Sequence, residues 1–189
     1  LYLPQRWPRL TADNIRAMHG KPYAEIAGTI ISYFTGGQPD KARLTAMAED
    51  AYQEFTHSDI APLVALEKNI HVCELFHGPT IAFKDYAMQF LSRAFDDALT
   101  HTGKRAVVLG ATSGDTGSAA IEACKRYTDL DIFILFPDKK ISEVQQRQMT
   151  TSGADNVYSI AVNGDFDDCQ KYVKKLFLKQ EEFPKIRFV

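Results

Sequence analysis

Two short segments of the sequence carry residue types that could take part in chemistry. In the first, Lys84 follows three apolar residues and precedes Asp85. Burial disfavours the ammonium form of a lysine, and the neutral amine is a nucleophile that reacts with carbonyl groups. The alternative is a lysine whose stem lies along apolar surface and whose charge pairs with Asp85.

The second segment is a glycine-rich loop at residues 109–118, between a predicted strand and a predicted helix. Free N–H groups and hydroxyls at the start of a helix favour an anion. The loop has no lysine after its glycines and lacks the GxGxxG spacing, so neither of the two common nucleotide motifs is present. The alternative is that Ser113, Asp115 and Thr116 only cap the helix.

The histidines and cysteines add little chemistry. His77, beside Gly78-Pro79, is either a ligand contact or a turn histidine bonded to backbone, and the other four histidines show no ligand spacing. The three cysteines form no CxxC pair, so we expect neither a disulfide framework nor a metal site, and a reducing cytoplasm fits best.

Composition bounds the class of protein. The 189 residues suffice for one domain, or one domain and part of another, and 45% of them are hydrophobic. A net charge of -2 without a basic stripe argues against nucleic acid as a partner, and no apolar stretch is long enough to cross a membrane. The first residue is not Met, and residues 185–189 look like the start of a strand, so we expect a longer protein.

The elements that must position the two segments follow from the hydrophobic pattern. The first third predicts helices at residues 11–18, 22–34 and 40–55, with Ile26, Ile30, Tyr33 and Phe34 on one face of the second. A strand is predicted at residues 70–76.

The remainder alternates between helices and strands. Helices are predicted at residues 87–99, 116–127, 142–151 and 165–179, and strands at 105–109, 131–136 and 156–162. The first of these helices carries a predicted apolar side, made of Phe90, Leu91, Ala94, Phe95, Ala98 and Leu99. Such alternation predicts an α/β fold with a parallel sheet, preceded by a helical amino-terminal segment. Ligands bind at the carboxyl ends of such strands, where the glycine-rich loop lies.

Taken together, the two segments resemble those of the threonine synthase family. Residues 74–85 look like that family's cofactor-lysine segment, and residues 111–117 like its substrate loop. The likeness continues through residues 140–149 and 162–168 and includes Leu1-Tyr2-Leu3-Pro4. It implies the tryptophan-synthase-β-like fold (fold type II), which the serine and threonine dehydratases share.

The resemblance also implies a cofactor, a substrate and residue roles. Lys84 would carry pyridoxal 5'-phosphate and act as the catalytic residue, and Asp115, which is Asn in many relatives, would lie near the ring hydroxyl of the cofactor. The substrate would be O-phospho-L-homoserine, which is converted with water to L-threonine and phosphate. The residues implied to bind substrate are Ser113, Gly114, Thr116, His77 and Thr80, with Lys139 or Lys140 at the phosphate.

The resemblance implies two regions in the chain and the absence of part of the cofactor site. Residues 1–75 would form the helical amino-terminal segment and the start of the cofactor domain, and residues 76–189 an α/β catalytic region that is incomplete at its carboxyl end. The family's loop for the cofactor phosphate and the polar group at the ring nitrogen come later in its sequences. We therefore expect this stretch alone to bind cofactor poorly.

Three other functions fit parts of the pattern. A threonine-synthase-like phospholyase would give a keto acid from a similar substrate, and a dehydratase would act on serine or threonine. A Rossmann-like nucleotide-binding domain would use the loop at Gly114, with Asp138 as its acidic residue, and would leave Lys84 idle.

Overall fold

The computed structural model describes residues 3–189, and within them it has an α/β fold. Its contacts divide the chain into two compact units, one ending at Glu74 and the other spanning Leu75–Val189. Among the described residues, none of the helices combines the length and apolar composition needed to span a membrane. Of the likeness at the amino terminus, Leu1 and Tyr2 lie outside the described residues.

The first unit begins with three helices, as predicted. They are α1 (Ala12–Met18), α2 (Tyr23–Ser32) and α3 (Lys41–Tyr52). Thr11 caps α1 in a reciprocal box with Asn14, and Asp40 caps α3 by accepting the N–H of Arg43. These caps satisfy donors that the first turn of a helix leaves free.

The buried face of α3 forms the core of this unit against α2. Its members recur at helical spacing and are Leu44, Met47, Ala48, Ala51 and Tyr52. The prediction that Tyr33 and Phe34 extend the apolar face of α2 is wrong, because the helix ends at Ser32. Both rings lie beyond it, in the segment that turns through Gly36 and Gly37, and both are exposed.

An antiparallel hairpin completes the first unit. It consists of β1 (Leu63–Glu67) and β2 (Ile70–Cys73), and all nine residues are exposed. We did not predict β1, because a short apolar run without alternation fits a strand or a helix equally well. The predicted strand at residues 70–76 ends early, at Cys73, after which Glu74 donates its N–H to the carbonyl of Pro62.

The second unit is a parallel sheet with helical crossovers. Its elements are α4 (Asp85–Thr102), β3 (Ala106–Ala111), α5 (Asp115–Cys124), β4 (Leu130–Pro137), α6 (Glu143–Thr150), β5 (Val157–Val162), α7 (Phe166–Leu178) and β6 (Arg187–Phe188). The strand order is β5-β4-β3-β6, and all three pairings are parallel. The predicted alternation and parallel sheet are confirmed, and the apolar strand β4 lies at the centre of the core.

Helix α4 buries only part of the face that its sequence predicts, since Leu99 packs against the core and Phe90, Ala94 and Phe95 are half-buried. Leu91 and Ala98, from the predicted apolar side, are exposed, whereas Gln89, Ser92 and Arg93 are buried. Helix α4 packs against α5, which is lined with small buried residues. The buried polar groups bond to one another: the Arg93 guanidinium donates to the side-chain and main-chain oxygens of Gln89 at 2.6 and 3.0 Å.

Asn156 holds the segment between α5 and β4 in place. Its Nδ2 donates to the carbonyls of Cys124, Tyr127 and Leu130, at 3.1, 2.9 and 2.7 Å. These contacts span up to 32 positions in sequence and fasten the end of α5 to the start of β4. The crossover that begins at the glycine-rich loop is therefore anchored at its far end.

The register of the sheet fixes where that loop begins. Ala111, the last residue of β3, lies opposite Leu135 of β4. Thr112 then donates its N–H to the carbonyl of Leu135 at 2.9 Å, which holds the start of the loop against the sheet. The loop therefore leaves the sheet at the carboxyl end of β3, where parallel sheets bind ligands.

Candidate active site

Lys84 stands immediately before α4. It is the N-cap residue of that helix, and its carbonyl accepts the N–H groups of Ala87 and Met88. The side chain is half-buried, with Nζ 4.2 Å from the centroid of the Phe83 ring. The backbone of the helix start thus fixes the lysine's Cα, and an aromatic ring lies under its amine.

A buried carboxylate organises the turn before the lysine. Asp85 is fully buried and accepts the Thr80 N–H at 2.8 Å and the Thr80 hydroxyl at 2.7 Å. Burial raises the pKa of Asp85, and the bonds from Thr80 partly oppose that rise. Within the described chain Asp85 therefore pairs with Thr80 and not with Lys84, so the alternative of a lysine paired with Asp85 is wrong.

The other residues predicted in this turn lie beside the lysine segment. A side chain at Gly78 would overlap Asp85, so this position must be glycine for the carboxylate to reach Thr80. The His77 ring is half-buried, 4.7 Å from that of Phe76 between centroids. Because the Thr80 hydroxyl donates to Asp85, only its oxygen is left to accept a bond from a ligand.

The glycine-rich loop is shaped by one buried threonine. Thr112 Oγ1 accepts the N–H groups of Gly114 and Gly117, at 3.0 and 2.9 Å, and donates to the Gly114 carbonyl. Gly114, the N-cap of α5, has φ 148° and ψ -91°, a conformation that residues with a Cβ avoid. The N–H of Gly114 is thus used inside the loop.

Other N–H groups at this helix start are available to a ligand. In residues 3–189, the N–H groups of Ser113, Asp115 and Thr116 have no acceptor, and no side chain caps α5. The alternative that these three side chains only cap the helix is therefore wrong. Free donors at the positive end of a helix dipole make an anion site.

Helix α6 connects the loop to the lysine turn. Gln145 donates its amide N–H to the Asp115 carboxylate, and Gln148 donates to the carbonyl of Thr80 at 3.3 Å. Sequence reasoning missed both glutamines. The only signal for either was the Ser142-x-x-Gln145 spacing of a capping box, which the structure forms.

Two lysines implied at the substrate phosphate lie on the turn between β4 and α6. Lys139 and Lys140 are both exposed, and Lys139 adopts a positive φ of 57°. Among the described residues, no cluster of His, Cys, Asp or Glu could hold a metal ion.

Comparison with known proteins decides the family of this chain. Residues 59–186 match the family described as pyridoxal-phosphate dependent enzyme. The chain belongs to this family. Residues 1–52 also match a second family, described as the threonine synthase N terminus. Membership of this family means that the cofactor is pyridoxal phosphate.

Three similar proteins, one compared by sequence and two by structure, are all threonine synthases. The chain is 49% identical over 180 residues to the threonine synthase of Pseudomonas aeruginosa, covering 95% of this chain and 38% of that protein. It resembles the crystal structure of PLP-bound threonine synthase from Brucella melitensis at 50% identity and a TM-score of 0.90, covering 100% of this chain and 41% of that one. It also resembles the crystal structure of threonine synthase from yeast, at 35% identity and a TM-score of 0.86. That match covers 96% of this chain and 38% of the yeast chain. The chain thus spans about two fifths of the length of these relatives.

The described residues fit the cofactor of a pyridoxal-phosphate dependent enzyme. Lys84 offers an amine for its aldehyde, from a half-buried position beside an aromatic ring. Asp115 offers a carboxylate that a neighbouring amide already orients. The free N–H groups at the start of α5 suit an anionic group.

Proposed function

We propose that the full-length protein is a threonine synthase, which converts O-phospho-L-homoserine and water to L-threonine and phosphate. The observation that carries this proposal is that α6 bonds both to the turn that bears Lys84 and to the loop that offers free N–H groups. The chain in which it does so is 49% identical to one threonine synthase. A cytoplasmic location belongs to the proposal and is supported by three free cysteines. We further propose residues 76–189 as part of the catalytic region.

The proposed roles at the cofactor follow from two side chains. When bound, pyridoxal phosphate supplies an electron sink for negative charge on the substrate carbons. Lys84 would carry the cofactor and, once its amine is free, move protons at those carbons. The Asp115 carboxylate, oriented by Gln145, would accept a hydrogen bond from the ring hydroxyl.

At the substrate, we propose that some residues donate hydrogen bonds and that others shape the loop or contact the substrate. The free N–H groups of Ser113 and Thr116 would hold the substrate carboxylate, together with their hydroxyls. Gly114 would contribute the turn, since its own N–H is donated to Thr112. His77 and Thr80, beside the lysine turn, would contact the rest of the substrate.

Chemical labelling of the full-length protein tests the cofactor site. After addition of pyridoxal phosphate, reduction with borohydride and digestion, the pyridoxyl label should be found on Lys84. Lys84→Ala should abolish the label, and Lys104→Ala, a matched control in the exposed segment after α4, should retain it. A label on another lysine would overturn the site. No label at all would refute the enzyme function and favour a nucleotide-binding domain.

Product analysis tests the reaction. Incubation with O-phospho-L-homoserine should release phosphate and L-threonine in equal amounts. Phosphate with a keto acid would indicate a phospholyase instead. Turnover of serine or threonine without phosphate release would indicate a dehydratase.

A further inference from the structure

Helix α6 presents two glutamines on the same face, and each bonds to a different part of the site. Gln145 and Gln148 are three residues apart, so their Cβ atoms lie about 5–6 Å from each other. Met149, the residue after Gln148, is fully buried and packs into the core, and its carbonyl accepts the Ser159 hydroxyl at 2.9 Å. The helix is therefore held against the sheet while its glutamines reach outward to the loop and the turn.

Gln145 serves two structures at once. Its Oε1 accepts the main-chain N–H of Ser142 at 3.4 Å and so closes the capping box of α6. Its Nε2 donates to the Asp115 carboxylate, 30 positions away. The side chain also lies against Gly114, where a Cβ would displace it. A cap needs only the first of these contacts, and the other two fix the glycine-rich loop.

Gln148 reaches the lysine through a short chain of bonds. It donates to the carbonyl of Thr80, whose N–H and hydroxyl are both bound by the Asp85 carboxylate. Asp85 follows Lys84 directly at the start of α4. The position of the lysine turn therefore depends on α6 as well as on its own residues.

We propose that Gln145 and Gln148 are positioning residues, which hold the glycine-rich loop and the lysine turn in register so that Lys84 and Asp115 could serve the same cofactor. The inference rests on the proposed function for the roles of Lys84 and Asp115. It adds that the positions of Lys84 and Asp115 each depend on a contact from α6 as well as on their own segments. Gln145 acts through Asp115, and Gln148 acts through Thr80.

Hydrogen exchange of the cofactor-free, full-length protein tests the positioning directly. Gln145→Ala should speed amide exchange in residues 110–118, and Gln148→Ala should speed it in residues 78–86. Gln146→Ala is the matched control, since Gln146 is a half-buried glutamine of the same helix whose side chain has no hydrogen-bond partner among the described residues. Equal exchange in all three variants would overturn the proposal, whatever reaction the protein catalyses.

Cofactor binding separates positioning from capping. Loss of a hydrogen bond to a charged group should weaken pyridoxal phosphate binding about tenfold in Gln145→Ala. Gln145→Glu keeps a good capping residue but places a carboxylate against Asp115, so it should not restore binding. Full restoration by glutamate would mean that Gln145 is only a cap and would refute the proposal.

A double-mutant cycle tests whether Gln145 acts through Asp115. In an Asp115→Ala background, Gln145→Ala should change cofactor affinity by less than about twofold, because the bond it removes is already absent. An undiminished tenfold effect in that background would show that Gln145 acts elsewhere. If no variant or wild-type protein binds the cofactor, the proposed function fails, and the exchange experiment alone decides whether the glutamines position the two segments.

Discussion

Gly114 is the position where a single added methyl group should disturb the site most. Its φ of 148° with ψ of -91° lies outside the regions that residues with a Cβ adopt. Holding such a residue there costs about 1–3 kcal/mol. The added Cβ also overlaps the end of the Gln145 side chain, which must then give up its bond to Asp115.

The two costs together set the expected effect of Gly114→Ala. The lost bond to the charged Asp115 adds about 1.4 kcal/mol to the backbone strain, for a total of about 3 kcal/mol. If cofactor binding requires the native loop, its dissociation constant should rise by about a hundredfold. Titration of the full-length protein with pyridoxal phosphate, followed by absorbance, measures this directly.

Gly103→Ala is the matched control for this prediction. Gly103 ends α4 at φ 61° and ψ 27°, the ordinary left-handed conformation, and nothing lies near an added Cβ. Its substitution should cost about 1 kcal/mol of stability without changing cofactor affinity. Affinity within about threefold of wild type in Gly114→Ala, or equal losses in both variants, would refute the reasoning.

Two further predictions concern stability of the full-length protein in urea. Asn156→Ala removes two hydrogens that serve three main-chain carbonyls and should cost about 2 kcal/mol, and an unchanged midpoint would contradict it. Because burial raises the pKa of Asp85, its contribution to stability is fully present below the ordinary carboxyl pKa of about 3.9 and falls as pH rises through the raised value. Asp85→Asn should therefore flatten the loss of stability as the pH rises above the ordinary carboxyl pKa of about 3.9, and parallel curves for the two proteins would argue against it.

Much of the fold could be predicted because its signals are local. The cap at Thr11 and the apolar run of β4 each lie within a few neighbouring residues, and both elements were predicted to within about two residues. The apolar pattern identified the buried face of α4 only in part, because the close contact with α5 also buries polar side chains of α4. Its buried polar groups instead bond to one another against the small residues of α5.

The candidate site also has residues that the sequence predicts and residues that it does not. Lys84 and the glycine-rich loop could be found because each is a contiguous run of residues with a recognisable chemistry. Gln145 and Gln148 could not, since their partners lie 30 and 68 positions away and a glutamine on a helix has no chemistry of its own to mark it. The capping spacing at Ser142 pointed to the helix start but not to the second partner of Gln145.

The hairpin of β1 and β2 has a practical consequence for handling the protein. Leu63, Leu66 and Ile70 are 71%, 64% and 52% exposed, on a ribbon of only two strands. Isolated two-stranded ribbons are marginally stable, and open strand edges beside apolar side chains act as templates for aggregation. The hairpin should therefore favour aggregation in any preparation of the protein in which it stays uncovered.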